Sequence, residues 1–248
     1  GVDYSETVYQ IAVHMIVFLS VLLSCGLVWG LNSTESGLRG VDYSELVSID
    51  SHSCLLQNGY SFVIPRGYRS IGELDENVCQ NLINAQSAGF DTREVYIFPC
   101  PTCSSSAQTQ MDTLVSHLKS TCPDAWTGRI WLDIEGAEYW TGSYSSNQAF
   151  YESLVDACLS TGYRCGVYSS QYQWSSLFGS TSYCYGDNSK GDFPVWYSHY
   201  DYDPSFDDYY SKYSFGCWLD FSLNPLAKQY SGTTSVCSAS VDLNSALM

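Results

Sequence analysis

Asp133 and Glu135 lie two positions apart in the segment Trp131-Leu132-Asp133-Ile134-Glu135. Polar and apolar residues alternate here as in a β-strand, so both carboxylates would point to the same face near the end of that strand. Repulsion and burial disfavour the ionised forms of two neighbouring acids, so one of them can stay protonated as a general acid. Glycoside hydrolysis uses such a pair, although Asp-x-Glu alone is more often a solvated strand end.

Two further acids lie in other predicted strands. Asp42 is near the end of the first predicted strand, and Asp242 lies in the last. In a parallel β/α barrel the active site forms at the carboxyl ends of the strands. We therefore expect Asp42, Asp133, Glu135 and Asp242 to meet at one end of a barrel.

From Gly40 onward, short apolar segments alternate with helical patterns, as in a parallel α/β sheet. The predicted strands are Gly40–Tyr43, Ser61–Ile64, Glu94–Phe98, Ile130–Glu135, Arg164–Tyr168, Val195–His199, Gly216–Leu219 and Val241–Leu243. The predicted helices, with apolar residues three or four apart, are Asn77–Ser87, Gln108–Leu118 and Asn147–Leu159. This order predicts one α/β barrel that becomes less regular after Tyr168, where the helical pattern fades.

The overall charge of the chain limits its partners. Of 248 residues, 45% are hydrophobic and 15% charged, which predicts a large folded core. Lys and Arg total 10 against 26 Asp and Glu, a net charge of −16. Phosphate binding needs clustered cations, so nucleic acid is not an expected partner. Repulsion from polyanionic surfaces would be weaker in an acidic compartment, where carboxylates are partly neutralised.

The first 39 residues differ from the rest of the chain. Ile11–Leu31 is apolar and contains no Asp, Glu, Lys or Arg, which favours a secretory signal peptide and leaves a membrane anchor as the alternative. The sequence of Gly1–Glu6 recurs identically at Gly40–Glu45. We interpret residues 1–39 as a leader with a partial duplicate of the domain start, and residues 40–248 as the folded domain.

The cysteines indicate an oxidising compartment. Of 11 cysteines, Cys25 lies in the apolar leader segment and the other ten form an even set, enough for five disulfides whose pairing stays open. Cys100-Pro-Thr-Cys103 has redox-motif spacing, but the eight other cysteines beyond the leader favour a structural disulfide. The histidines beyond the leader are His52, His117 and His199. A zinc site would need nearby histidines or a second Cys pair, so we expect no metal ion, and we also expect no cofactor.

Several aromatic residues on or beside the predicted strands could stack on sugar rings, with core packing as the alternative for each. They are Tyr96, Trp131, Trp196, Tyr197, Tyr200 and Tyr230.

Segments in one order along the chain resemble the glycoside hydrolase family 25 lysozymes, especially those of nematodes and amoebozoan protists. They are Gly40–Asp42, Phe62–Arg66, Val95–Phe98, Trp131–Glu135, Val195–Asp201, Lys228–Tyr230 and Val241–Asn244.

The resemblance implies an irregular TIM-like β/α barrel, with five βα units followed by three strands. It also implies cleavage of the β-1,4 bond between N-acetylmuramic acid and N-acetylglucosamine in bacterial peptidoglycan. Glu135 would be the proton donor and Asp133 would assist it, with Asp42 and Asp242 completing the acidic cluster. The substrate-binding residues implied by the matching segments are Tyr96, Trp196, Arg66, Tyr200 and Gln229.

We expect a monomer that is secreted or delivered to a phagosome or lysosome, for digestion of bacteria or defence against them. Two alternatives stay open. A chitinase also places Asp-x-Glu at a strand end, but it usually has a further Asp where this chain has Trp131. A sugar-binding barrel without activity usually lacks one of the acids.

Overall fold

The computed structural model describes residues 37–186, 193–219 and 225–247. Eight strands in these ranges form a closed barrel. They are β1 Leu38–Tyr43, β2 Tyr60–Arg69, β5 Val95–Ile97, β6 Arg129–Asp133, β7 Arg164–Ser169, β8 Val195–Ser198, β9 Ala227–Val236 and β10 Ala239–Ala246. The two-residue strands β3 Glu73–Leu74 and β4 Thr92–Arg93 pair with β2 outside this ring. The prediction of an α/β barrel is confirmed.

The strand order around the barrel is β1, β10, β9, β8, β7, β6, β5 and β2, and pairing of β1 with β2 closes it. Neighbouring strands are parallel, except that β10 runs antiparallel to both β1 and β9. The carboxyl ends of the parallel strands therefore meet at one end of the barrel.

The helices lie between the strands in the chain. They are α1 Ile49–Gln57, α2 Val78–Ala88, α3 Ala107–Thr121, α4 Tyr144–Ser160 and α5 Gln171–Phe178. A serine hydroxyl accepts a backbone N–H in the first turn of four of them, which satisfies a donor that the helix leaves unpaired. These serines are Ser48, Ser106, Ser143 and Ser170. Gly89, with a φ of 104°, ends α2 at the predicted place.

The alternation of side chains along β6 divides the core. Trp131 points into the barrel, where it packs in a small cluster with Tyr168 and Trp196. Leu132 and Ile134 lie in the large cluster outside the barrel wall, with apolar residues of the helices. The barrel interior is therefore filled by a few large rings, and the site can form only above them.

The predicted elements differ from the structure in several places. Gly216–Leu219 is a 3₁₀ helix, with buried Trp218 donating a hydrogen bond to the carbonyl of Phe193 rather than to a strand. Strand β9, the two-residue strands β3 and β4, and helices α1 and α5 were not predicted. Helix α5 has only eight residues, so its apolar repeat is too short to recognise.

Five disulfides join the ten cysteines beyond the leader. They are Cys54–Cys237, Cys79–Cys122, Cys100–Cys103, Cys158–Cys165 and Cys184–Cys217. The prediction that Cys100 and Cys103 form a disulfide is confirmed. The predictions for residues 1–36, including the leader, its possible anchor and Cys25, lie outside the described residues. Within the described residues, no helix has the length and apolarity to span a bilayer.

Candidate active site

Three strands bring the four predicted acids to the carboxyl end of the barrel. Asp42 and Asp242 are paired across β1 and β10, and Asp133 is the last residue of β6. Glu135 lies two residues beyond Asp133. All four line a pocket of about 70 Å³, which we call the acidic pocket. Its other lining residues are Tyr96, Tyr168, Trp196, Tyr200 and Gln229.

The chain beyond β6 is held in place, which fixes the position of Glu135. The amide of Ile134 donates to the carbonyl of Tyr168, and the Ser169 hydroxyl donates to the carbonyl of Ile134 at 2.7 Å. Trp140 Nε1 donates to the carbonyl of Glu135 at 3.0 Å. Glu135 thus lies on a backbone with defined partners on both sides.

Gln229 links the acids of the first and last barrel strands. Its Nε2 donates to Asp42 Oδ1 at 2.8 Å and to Asp242 Oδ2 at 3.2 Å. Its Oε1 accepts hydrogen bonds from the hydroxyls of Tyr168 at 2.5 Å and Tyr200 at 2.7 Å. With both tyrosine hydroxyls donating to Oε1, the amide N–H groups are directed towards the two carboxyl groups.

A second side-chain amide, that of Asn244, also donates to Asp42. Asn244 Nδ2 donates to Asp42 Oδ1 at 2.7 Å, and Asn244 Oδ1 accepts from Trp196 Nε1 at 2.9 Å. Trp196 is only 2% exposed, so it forms the wall of the acidic pocket from inside the barrel.

Burial raises the pKa of every carboxyl group in the acidic pocket. Burial and then repulsion from Asp242 raise the pKa of Asp42 to about 8. Burial, and to a lesser extent repulsion from Asp242 and Glu138, raises the pKa of Glu135 to about 7. The pKa of Asp133 is raised well above its ordinary value by burial, Glu135 and Asp42, and burial also raises that of Asp242. The cluster therefore retains protons at neutral pH.

One carboxylate oxygen in the pocket has no protein partner. Asp133 is 5% exposed, and its Oδ1 is buried without a hydrogen bond from any residue that the structure describes. A buried polar atom in this state costs free energy unless a ligand or water satisfies it. Asp133 thus presents an acceptor towards the pocket.

A larger groove adjoins the acidic pocket on the side of Glu135. It has a volume of about 480 Å³ and shares Glu135 and Tyr200 with the pocket. We call it the outer groove. Its remaining lining residues are Ser170, Gln171, Tyr172, Gln173, Ser175, Ser198, His199 and Tyr213. Most of them provide hydroxyl or amide groups and aromatic rings, which suits a polar, uncharged ligand such as a sugar.

The predicted substrate-binding residues do not all reach these cavities. Tyr96, Trp196, Tyr200 and Gln229 line the acidic pocket, whereas Arg66 lines neither cavity and instead donates from Nε to Asp75 Oδ2 at 2.7 Å. The positive charge of Arg66 nevertheless offsets a small part of the rise in the pKa of Asp133.

The remaining aromatic candidates pack in the core or its margin. Trp131 and Tyr197 are fully buried and Tyr230 is 7% exposed, and none of the three lines either cavity. For these three rings the core alternative is correct.

Sequence reasoning missed three parts of the site. Tyr168 ends the predicted fifth strand, and Asn244 lies two residues after Asp242, so strand alternation could have indicated both. The third part is the start of α5, which supplies much of the outer groove. Only the serine before this helix, Ser170, carried a recognisable capping signal.

Among the described residues, one group has the composition of a cation site. His199, Asp201 and Asp208 place potential ligand atoms within 4.8 Å of one another. The Lys228 ammonium already donates to Asp201 Oδ2 at 2.8 Å and to Asp208 Oδ2 at 3.3 Å. A metal ion would have to displace this lysine, so the chemistry of the group favours an ion-pair network.

Comparisons with known proteins agree with this geometry. A family model described as "Lysozyme-like protein 1" matches residues 33–230. "Probable GH family 25 lysozyme 2" of Dictyostelium discoideum is 40% identical, over 92% of this chain and 98% of that protein. "Lysozyme-like protein 5" of Caenorhabditis elegans is 34% identical, over 92% of this chain and 97% of that protein. The solved family GH25 lysozyme of Aspergillus fumigatus has a TM-score of 0.64 at 19% identity, covering 85% of this chain and 94% of its own. The chain is therefore a glycoside hydrolase that belongs to the family 25 lysozymes.

Proposed function

We propose that this chain hydrolyses the β-1,4 bond between N-acetylmuramic acid and N-acetylglucosamine in bacterial peptidoglycan, with Glu135 as the proton donor and Asp133 assisting. The observation that carries the proposal is the convergence of four carboxyl groups on one pocket, beside which lies a groove lined mainly by hydroxyl, amide and aromatic groups. A bound glycan could occupy both cavities, with the bond to be cleaved next to Glu135.

The environment of Glu135 supports its role as the acid. A pKa of about 7 keeps much of Glu135 protonated in mildly acidic and neutral solution. In the first step its proton passes to the glycosidic oxygen as the bond to the anomeric carbon breaks. The resulting carboxylate then accepts a proton from the water that completes hydrolysis.

Asp133 supports an attack by the acetamido group of the substrate. Its unpartnered Oδ1 could accept the acetamido N–H, which would turn the acetamido oxygen towards the anomeric carbon. Asp133 and Glu135 lie on the same face of one strand end, and this arrangement suits assistance better than attack from the opposite face of the sugar. Peptidoglycan from which the acetyl groups have been removed should then be cleaved far more slowly, and equal rates would exclude participation of the acetamido group.

The assignment of Glu135 is tested by turbidity assays on bacterial walls with wild type and Glu135→Gln. We expect the substitution to reduce lysis by about 100- to 10,000-fold at every pH while wall binding in a sedimentation assay is retained. In the wild type, lysis should decline as the pH rises through about 7, because Glu135 then loses the proton it must donate. Normal lysis by the variant would show that another residue is the acid.

The same assays separate the two alternatives. Release of soluble products from chitin at a rate matching that from peptidoglycan would favour a chitinase. Wall binding by the wild type without any lysis would favour a sugar-binding barrel, although all four acids are present here.

We also propose that the enzyme acts outside the cytosol, in digestion of bacteria or in defence. The five disulfides support an oxidising compartment. The net charge of −16 supports an acidic one, since anionic walls repel the enzyme less there. Fractionation of the source cells with an antibody to residues 40–248 tests this, and a cytosolic pool would contradict it.

A further inference from the structure

A buried ammonium group lies just outside the barrel wall, next to the acidic pocket. Lys228 is 0% exposed and precedes Gln229 on β9, so the two side chains leave the strand on opposite faces. Gln229 points inward to the acids, and Lys228 points outward. Its Nζ donates to Asp201 Oδ2 at 2.8 Å, to the carbonyl of Ser205 at 3.0 Å and to Asp208 Oδ2 at 3.3 Å.

All three acceptors belong to the segment 199–208, which follows β8 and which we call the clamp segment. Other contacts attach the same segment to β9 and β10. The Ser245 hydroxyl donates to the carbonyl of Pro204 at 2.7 Å, and the amide of Tyr202 donates to the carbonyl of Tyr230 at 3.0 Å. Lys228 contributes the charged part of this attachment, because one ammonium group joins three acceptors.

The clamp segment carries Tyr200 into the site. Tyr200 is 54% exposed, so packing alone does not hold its ring. Its hydroxyl nevertheless donates to Gln229 Oε1 at 2.7 Å, and it lines both the acidic pocket and the outer groove. Any shift of the segment would remove one of the two tyrosine donors that orient the Gln229 amide.

Hydrogen bonds to Asp208 favour its ionised form. Although burial opposes it, donors from Tyr197, His199 and Lys228 hold the pKa of Asp208 below its ordinary value. Asp208 Oδ1 accepts from the Tyr197 hydroxyl at 2.7 Å and its Oδ2 from His199 Nδ1 at 2.5 Å. The acceptors of Lys228 are thus themselves fixed in position.

We propose that Lys228 is a positioning residue for catalysis: by joining Asp201, Ser205 and Asp208 it holds Tyr200 on Gln229, and so keeps the Gln229 amide directed at Asp42 and Asp242. The inference rests on the proposed function, because the measured quantity is cleavage of peptidoglycan. Lys228 itself contacts no substrate.

A double-mutant cycle with Lys228→Met and Tyr200→Phe tests the proposal on walls and on a soluble muropeptide substrate. Each single variant should lower kcat by roughly 3- to 10-fold with little change in KM, as for loss of one hydrogen bond. If Lys228 acts through Tyr200, the double variant should be no slower than Tyr200→Phe alone. The proposal would be overturned if the fold-losses in kcat of the two single variants multiply in the double variant, or if kcat is unchanged in Lys228→Met.

Two controls accompany the cycle. Lys119→Met removes the same charge from the exposed surface of α3 and should leave kcat unchanged, so it corrects for altered attraction to anionic walls. If Lys228→Met does not fold, Asp201→Asn replaces it, since it weakens the network while Asp208 stays. Asp201→Asn must also lower kcat, and the double variant Asp201→Asn/Tyr200→Phe must be no slower than Tyr200→Phe alone. Either contrary result refutes the role of Lys228.

Failure of the proposed function would look different. In that case the wild type itself would not lyse walls, or Glu135→Gln would retain lysis, and neither result depends on the cycle. A wild type that depends on Glu135, together with multiplying losses in the cycle, would reject only the positioning role of Lys228.

Discussion

At the scale of single residues, the acidic pocket is a set of carboxyl groups that the fold holds in an unfavourable state. Gln229 and Asn244 donate hydrogen bonds to Asp42, yet its pKa still rises to about 8 because burial outweighs them. Asp133 lacks even one partner for its Oδ1 among the described residues. Such sites cost stability and are retained for the chemistry that they allow.

The stability of the protein should therefore depend on pH in a defined direction. Unfolded carboxyl groups titrate near pH 4, whereas the folded pKa of Glu135 is about 7 and that of Asp42 about 8. Between these values the folded state binds more protons than the unfolded state, so the free energy of unfolding falls as the pH rises. We expect a lower Tm at about pH 8 than at about pH 5.5.

Glu135→Gln identifies the contribution of one group to this trend. The amide cannot ionise, so the variant should lose less stability than the wild type between these pH values, with a difference on the order of 1–3 kcal/mol. Glu76→Gln, at an exposed position before α2, is the matched control and should follow the wild type. Parallel curves for wild type and Glu135→Gln in urea titrations would contradict the shift.

At the scale of elements, the site depends on barrel closure between the first and last strands. Asp42 and Gln229 are 187 residues apart, and pairing of β1 with β10 brings their strands together through the ring. The disulfide Cys54–Cys237 reinforces the same region, because it joins α1 to the turn between β9 and β10. Its two cysteines are 183 residues apart.

Removal of this disulfide should cost more stability than removal of a short one. Cys54→Ala/Cys237→Ala releases a long loop in the unfolded chain, for which about 2–5 kcal/mol is expected. Cys100→Ala/Cys103→Ala is the control, since its cysteines are only three positions apart and closing so short a loop restricts the unfolded chain much less. Chemical denaturation of both variants measures the difference, and equal losses would show that loop entropy does not dominate.

At the scale of the whole molecule, the charge of −16 opposes binding to an anionic wall. The outer groove contains one acid, Glu135, among its described lining residues, so the repulsion comes mainly from the rest of the surface. Long-range repulsion between exposed charges is screened by salt, whereas the buried contacts of the site are screened much less.

Lysis at neutral pH should therefore increase with moderate salt. Raising the ionic strength from about 0.01 M to about 0.15 M shortens the Debye length from about 30 Å to about 8 Å. We expect KM for walls to fall several-fold while kcat changes little. An uncharged soluble glycan serves as the control substrate. If salt lowers KM for both substrates alike, or for neither, charge repulsion does not limit wall binding.

Much of the site could be predicted from local patterns. The period of two along β6 places Asp133 and Glu135 on one face, and this does not depend on which strands pack beside β6. The helical repeats predicted α2, α3 and α4 to within a few residues of their observed ends. The ten cysteines beyond the leader predicted five disulfides. These features depend on neighbours in the sequence, so the sequence by itself determined them.

Other features were decided only by the tertiary structure. Gln229 bridges Asp42 and Asp242 because the barrel closes, and no local pattern gives that contact. Trp196 turns inward and donates to Asn244, a contact between distant strands that its position beside a strand end did not predict. The disulfide pairing, the outer groove and the buried Lys228 network likewise join distant segments. Their physical basis is the closure of the ring, which sets distances between residues that the chain itself leaves far apart.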